Sequence, residues 1–266
     1  MNTAQQRGVV LIVVLWITVL LTVLLVAFTT TIKVDRDVAS DIVRRVQARA
    51  GAEAVLNYLV AIQRSGAYDL SAMMGQVYKL NLNSMQIRFR FIPESAYMSL
   101  NSAPLEDLET VFNSAGAENA AEIAHYIVQR REGSTQIQTG EVIEPQPWVS
   151  VLELSHLPGI SHNVYQRVQG WFTVDSDHSV VNLGFAEADF VRALTGAEAD
   201  QFLDERAVRA AANELQVSTG ERFRVQVELS GSTNTRKIEA TMAFSNNEHG
   251  YHVVRWNEYN IHFSLD

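Results

Sequence analysis

The chain has 266 residues, 47 % apolar and 19 % charged, enough for about two ordinary domains or one elaborated domain. Thirty acidic against 21 basic residues give a net charge of −9, which argues against a phosphate-seeking protein, because nucleic-acid affinity rests on Lys and Arg neutralising phosphates. There is no cysteine, so disulfides, thiolate zinc sites and cysteine nucleophiles are excluded, and scarce Gly and Pro argue against long disordered linkers.

The first element is apolar. Val9 to Phe28 are 20 residues without a charge, interrupted only by Thr18 and Thr22. As a helix they would span roughly 30 Å, the thickness of a bilayer core. A cleaved secretory signal would carry a shorter apolar stretch and a small-residue cut site, and Val26-Ala27-Phe28 is a poor one. The run therefore reads as an anchor. Arg7 and the N-terminal amine precede it with no acid among them, which places the N-terminus in the cytoplasm and exports the rest of the chain.

Helical periodicity continues past the run through Ile32, Val34, Val38, Ile42, Val46, Ala50, Leu56 and Leu59, with Asp35, Arg36, Arg44, Arg45, Gln47 and Arg49 opposite. The first convincing stop is Ser65-Gly66. A single helix of about 55 residues is predicted, from Val9 to about Gln63.

Met85–Ile92 then alternates apolar and polar residues like a half-buried strand. A helical pattern continues from there for more than a hundred residues. It opens with Ser99-Leu100-Asn101-Ser102-Ala103-Pro104-Leu105. A weaker second copy begins at Ser179, with Asn101 matched to Asn182. Between the copies, Leu157-Pro158-Gly159-Ile160 reads as a hairpin turn. Period-2 patterns return at Phe223–Leu229, Ile238–Phe244 and near Tyr251–Trp256, with Gly231–Asn234 as a turn. These strands are predicted to join residues 85–92 in one antiparallel sheet over the helix.

Chemistry is sparse. The Leu157–Ile160 turn resembles that of helix-hairpin-helix DNA binders. However, residues 97–212 carry six Arg, no Lys and 17 acids, a net −11 that would repel DNA. Of the seven histidines, His249 and His252 are three apart but lie at a glycine turn, and no metal-ligand motif occurs. Asp175-Ser176-Asp177 could offer oxygens to calcium, although a plain acidic turn accounts for it. Trp148, Trp171 and Trp256 read as core or interface anchors. Neither a P-loop nor a nucleophile motif is present, so no enzyme and no cofactor are expected.

The order of these features resembles the type IV pilin-like proteins: a short leader ending in Arg7-Gly8, then an apolar helix running into an amphipathic one. The resemblance implies cleavage between Gly8 and Val9 by prepilin peptidase. Most members carry a glutamate five residues after the cut; here Val13 stands there, and the nearest downstream acid is Asp35. Loss of that glutamate, the paired asparagine segments and the Pro-Gly hairpin resemble the K class of minor pseudopilins of type II secretion systems (general secretion pathway protein K). That likeness implies an α+β, pilin-like fold, its long N-terminal helix packed on an antiparallel sheet with an inserted, SAM-like all-helical domain. The implied layout is 1–8 leader, 9–66 helix, 67–96 and 213–266 sheet domain, and 97–212 insertion. Implied partners are the I- and J-class minor pseudopilins, the major pseudopilin and prepilin peptidase, in a single-pass inner-membrane protein with a periplasmic C-terminal domain. K-class relatives can bind calcium. A minor pilin of a type IV pilus or competence system shares the leader and helix, and a membrane-tethered periplasmic binding module would keep its leader.

Overall fold

The computed structural model describes residues 3–66, 70–82, 85–135, 142–212, 214–217, 220–230, 235–258 and 265. Side chains of residues 3–12, and of some later positions in the first helix, lie outside that description. By contact the chain divides into two units, Met1–Ala50 and Gly51–Asp266. The boundary falls inside a single helix, α1 (Thr3–Ser65).

In the first unit, α1 exposes an almost unbroken apolar surface from Val13 to Phe28, with Trp16 at 70 % and Leu25 at 66 % exposure. The hydroxyls of Thr18, Thr22 and Thr29 donate to the carbonyls of Leu15, Thr18 and Leu25 at 2.7–2.8 Å. These hydroxyls are thus satisfied within the helix, as an apolar medium requires. Among the described residues no helix is long and apolar enough to cross a membrane. Side chains of the uncharged run are described only from Val13 onward, so a span beginning at Val9 lies partly outside them.

In the second unit α1 changes character. Ala52, Val55, Leu56, Leu59, Val60 and Ile62 are buried. They lie against a sheet of five strands: β1 (Tyr78–Leu82), β2 (Met85–Pro93), β3 (Arg222–Ser230), β4 (Thr235–Phe244) and β5 (Tyr251–Asn257). Neighbours in the sheet are neighbours in this numbering, and every pairing is antiparallel. Strand alternation sends Ile87, Phe89 and Phe91, Val225, Val227 and Leu229, and Ile238, Ala240 and Met242 to one buried face. Tyr58 of α1 meets Phe89 edge-on at 6.1 Å. Gly51 is a point of close approach, since a Cβ there would lie 2.5 Å from Leu229 Cδ2 and 3.3 Å from Ile87 Cδ1. The helix stops where the sequence signals it, at Gly66 with φ +60°. Strand β1 is an addition to the expected strands, although Tyr78-Lys79-Leu80-Asn81-Leu82 does alternate. The predicted turn at Gly231–Asn234 lies outside the described residues.

Between the paired strands β2 and β3 the chain builds a helical region with its own core, from Met98 through Leu108, Phe112, Ile127, Trp148 and Phe172 to Phe190 and Ala199. It holds α2 (Leu105–Ser114), α3 (Ala120–Glu132), α4 (His162–Val168), α5 (Ala188–Thr195) and α6 (Ala199–Ala211). A two-residue parallel pairing of Met98–Ser99 with Phe172–Thr173 ties its entry to its middle. Trp171 stacks on Phe190 and Phe112 on Phe172.

The sequence repeat is structural, but its register differs from the Asn101–Asn182 match. In the first copy Arg131 of α3 donates to the carbonyls of Leu100 (3.1 Å) and Ala103 (2.7 Å). In the second, Arg206 of α6 donates to those of Leu183 (3.1 Å) and Ala186 (2.6 Å). Ser99 Oγ accepts the amide of Asn101, and Asn182 Oδ1 accepts the amide of Gly184. Asn182 therefore corresponds to Ser99, two residues from the position that matching asparagines selects. Similarity of residue type misled because serine and asparagine do the same local job in turns of this kind.

The segment before the hairpin is a 3-10 helix, Val151–His156, closed by a capping box in which Ser150 and Glu153 each satisfy the other's end. Gly159 (φ +88°) lets the turn rest on Ile123 and Asn119 at the start of α3, so one side of it is taken up by the chain's own packing. Burial tends to raise the Glu153 carboxyl, but Arg130 and the amides of Val149 and Ser150 outweigh it and hold the group below its ordinary value. A depressed folded-state pKa contributes stability above the unfolded value that is lost as pH falls through the folded one. Glu153→Gln should lower the thermal midpoint at pH 7 and leave it unchanged in acid below the carboxylate range. A cost that is the same at both pH values would contradict this assignment. At Gly51, a valine should cost about 1–3 kcal/mol through overpacking in denaturant melts of the full chain. Alanine should come out near neutral, because its gain in helix propensity of about 1 kcal/mol offsets the shift it forces on Leu229.

Candidate functional site

The outer face of the sheet is polar, and strand register arranges it in rows. Arg88, Glu228 and Lys237 align across β2, β3 and β4, as do Arg90, Gln226 and Glu239, and Ile92, Arg224 and Thr241. Arg88 Nη1 lies 3.2 Å from Glu228 Oε1. Arg90 donates to Gln226 Oε1 at 2.8 and 3.2 Å, and Gln226 passes a hydrogen bond to Glu239. Alternating charge across strands is the stabilising arrangement for such pairs.

The helical region meets this face through carboxylates. Glu94, fully buried just after β2, accepts from Arg224 Nε (2.9 Å) and Nη2 (3.0 Å) as a two-pronged pair. Its oxygens also accept the hydroxyls of Thr173 (2.6 Å) and Thr241 (3.3 Å). Arg224 lies over the Tyr97 ring at 3.8 Å. Burial opposes the Arg224 charge, but Glu94 and Glu239 more than restore it and raise its pKa well above the ordinary value. Burial likewise raises the Tyr97 hydroxyl, which stays neutral. A second fork joins Arg255 of β5 to both oxygens of Asp175, at 2.7 and 3.0 Å. Arg222 reaches the Asp175 carbonyl and the Asp177 carboxylate. Glu221 Oε1 accepts the amide of Ser95 where the chain leaves and re-enters the sheet.

The Asp175-Ser176-Asp177 turn is thus built into an arginine network, with both Asp175 oxygens engaged by a guanidinium. Among the described residues no three His, Asp or Glu side chains converge as a metal site requires. His249 and His252 are exposed, in the loop before β5 and on β5 itself. Trp148 is buried, its indole donating to the Ile127 carbonyl, and Trp256 is half-buried and bonded to Glu258. Gly8 and Val9 lie within α1 with side chains outside the described residues, and Val13 is half-exposed on that helix.

Between the sheet's polar face and the helical region opens a cleft of about 1170 Å³. Sequence reasoning missed this cleft and the arginine network. Its basic residues were visible as the polar half of alternating strands, but the carboxylate partners of Arg222, Arg224 and Arg255 come from turns 45 to 130 residues away.

The fold resembles that of a solved secretion-system protein: the chain is similar to GspK in the crystal structure of the GspK-GspI-GspJ complex from the enterotoxigenic Escherichia coli type 2 secretion system. The match has a TM-score of 0.51 at 15 % identity and covers 80 % of this chain and 98 % of that one. No protein-family model and no curated protein matches the sequence.

Breaking one half of a buried pair leaves an uncompensated charge. Glu94→Gln should therefore cost about 3–5 kcal/mol, read as a large drop in thermal midpoint. Replacing both partners, Glu94→Leu with Arg224→Met, should cost much less than the sum of the single changes. Additive single costs would show that the two groups do not depend on each other.

Proposed function

We propose that this protein is a minor pseudopilin at the tip of a type II secretion pseudopilus, where it initiates filament assembly and supports export of folded proteins across the outer membrane. The observation that carries this reading is the fold likeness to GspK over 98 % of that chain. The Arg7-Gly8 leader and the continuous helix α1 support it from a separate direction.

In this reading prepilin peptidase cuts between Gly8 and Val9, and the helix from Val9 stays as a single inner-membrane span, N-terminus cytoplasmic, with the rest periplasmic. The sheet domain is pilin-like, and the helical region is a SAM-like insertion between two adjacent strands. The role is structural and not catalytic. The GspK of the solved structure is in complex with GspI and GspJ, and the corresponding I- and J-class minor pseudopilins are the proposed partners here, with the major pseudopilin below. Two features favour the top position. The helical region adds bulk that leaves little room for a subunit above. Val13 replaces a carboxylate that would be costly in lipid unless a neighbour's amine met it.

The test is the N-terminus of the mature protein. Co-expressed with prepilin peptidase, the full chain should begin at Val9, and a Gly8 substitution should leave Met1 in place. An unprocessed Met1 in the native chain would sink this reading and favour a membrane-tethered periplasmic module.

A further inference from the structure

The assembly role leaves the cleft between sheet and helical region without a task. Its walls combine two kinds of group. Phe185 and Trp256 offer apolar surface, and Arg90, Arg206 and Tyr97 offer donors. At about 1170 Å³ the space exceeds the roughly 300–1,000 Å³ of a small-molecule pocket and suits a short stretch of polypeptide.

The electrostatics of the cleft are uneven. Four guanidiniums line it, and two of them are neutralised, Arg224 by Glu94 and Arg255 by Asp175. Among the described residues the other two are bonded only to neutral acceptors. Arg90 donates to the Gln226 side-chain carbonyl, and Arg206 to the backbone carbonyls of Leu183 and Ala186. Neither forms an ion pair among those residues, although both are partly buried. Burial alone lowers the Arg206 pKa. The Tyr97 and Tyr165 rings also line the space. One carboxylate competes on the rim: Glu187 is exposed, burial and then Asp189 raise its pKa, and the Arg90 charge lowers it. Glu239 is already held by Gln226 and lies 4.0 Å from Arg224.

We infer that the cleft binds an extended peptide segment bearing acidic side chains, its carboxylates meeting Arg90 and Arg206 and its apolar side chains the aromatic wall. Guanidinium forks match carboxylates in geometry, and each of these two guanidiniums has donors left over for one. Such a site is local in a chain whose net charge is −9. It selects acidic segments against the long-range repulsion of the rest of the molecule, so binding weakens less steeply with salt than for a uniformly basic surface.

The experiment is fluorescence anisotropy with the full-length protein in non-ionic detergent. The probe is a fluorescein-labelled peptide, Ala-Glu-Phe-Glu-Ala, and the control replaces both glutamates by glutamine. Saturable binding of the glutamate peptide should be about tenfold tighter than that of the control, the worth of a charge-assisted hydrogen bond. Arg90→Gln should weaken that preference to what Arg206 alone supplies, with the thermal midpoint measured to show that the fold persists. Equal affinity for the two peptides, or absence of saturation up to about 1 mM, would overturn the inference without any variant being needed. Displacement by free citrate as effective as by unlabelled peptide would show a small-anion site and overturn the peptide assignment.

Discussion

The contact on which the arrangement of this protein turns is the buried fork between Glu94 and Arg224. The sheet presents Arg88, Arg90, Arg222, Arg224, Lys237 and Arg255 on its outer face against Glu228 and Glu239. The helical region carries a net −11 over residues 97–212. Attraction between the two is therefore general, but general attraction does not fix an orientation. A desolvated pair does, because a buried guanidinium left without its carboxylate is heavily penalised, and the same pair contributes little net stability against an apolar replacement. Glu94, Asp175 and Asp177 come from two separate turns, and each finds a different arginine.

A related device works inside the helical region. Arg131 and Arg206 each tie the carbonyls on both sides of a turn to the second helix of a hairpin. Carbonyls in such turns lack a strand or helix partner, so a guanidinium with several fixed donors closes two of them at once. The first copy is reinforced by Asn101, whose amide exchanges two hydrogen bonds with the Trp148 backbone. The second is reinforced by Asn182, which holds Gln216 near the return to β3. Each copy thus anchors a different incoming strand of chain, which explains why the two sequences differ while the clamp is shared.

Much of this was legible in the sequence, and most of the parts that were not share a cause. The long helix, its stop at Ser65-Gly66, and strands β2 to β5 follow from periodicities of 3.6 and 2, which depend only on neighbours along the chain. Most of the misses are contacts set by three-dimensional register. The sequence shows Arg224 as a polar strand residue but contains no sign that Glu94, 130 residues earlier, is its partner. Asn101 and Asn182 look equivalent by type, while the equivalent positions are Ser99 and Asn182. The strand β1 escaped because five residues alternating Tyr, Lys, Leu, Asn and Leu make a weak signal between a helix and a stronger strand.

Val13 and Gly51 show why one helix can serve two environments. From Val13 to Phe28 the helix exposes apolar side chains and satisfies its threonines internally, so it makes no demand for a particular polar partner. From Gly51 onward it buries one stripe against a sheet, and the missing Cβ at Gly51 sets how closely the two can approach. A carboxylate at position 13 would demand a specific cationic neighbour, whereas valine makes no such demand. From Val13 to Phe28 the helix is therefore free of directional requirements, and the specific charge and shape of this chain lie in the stretch from Gly51 onward.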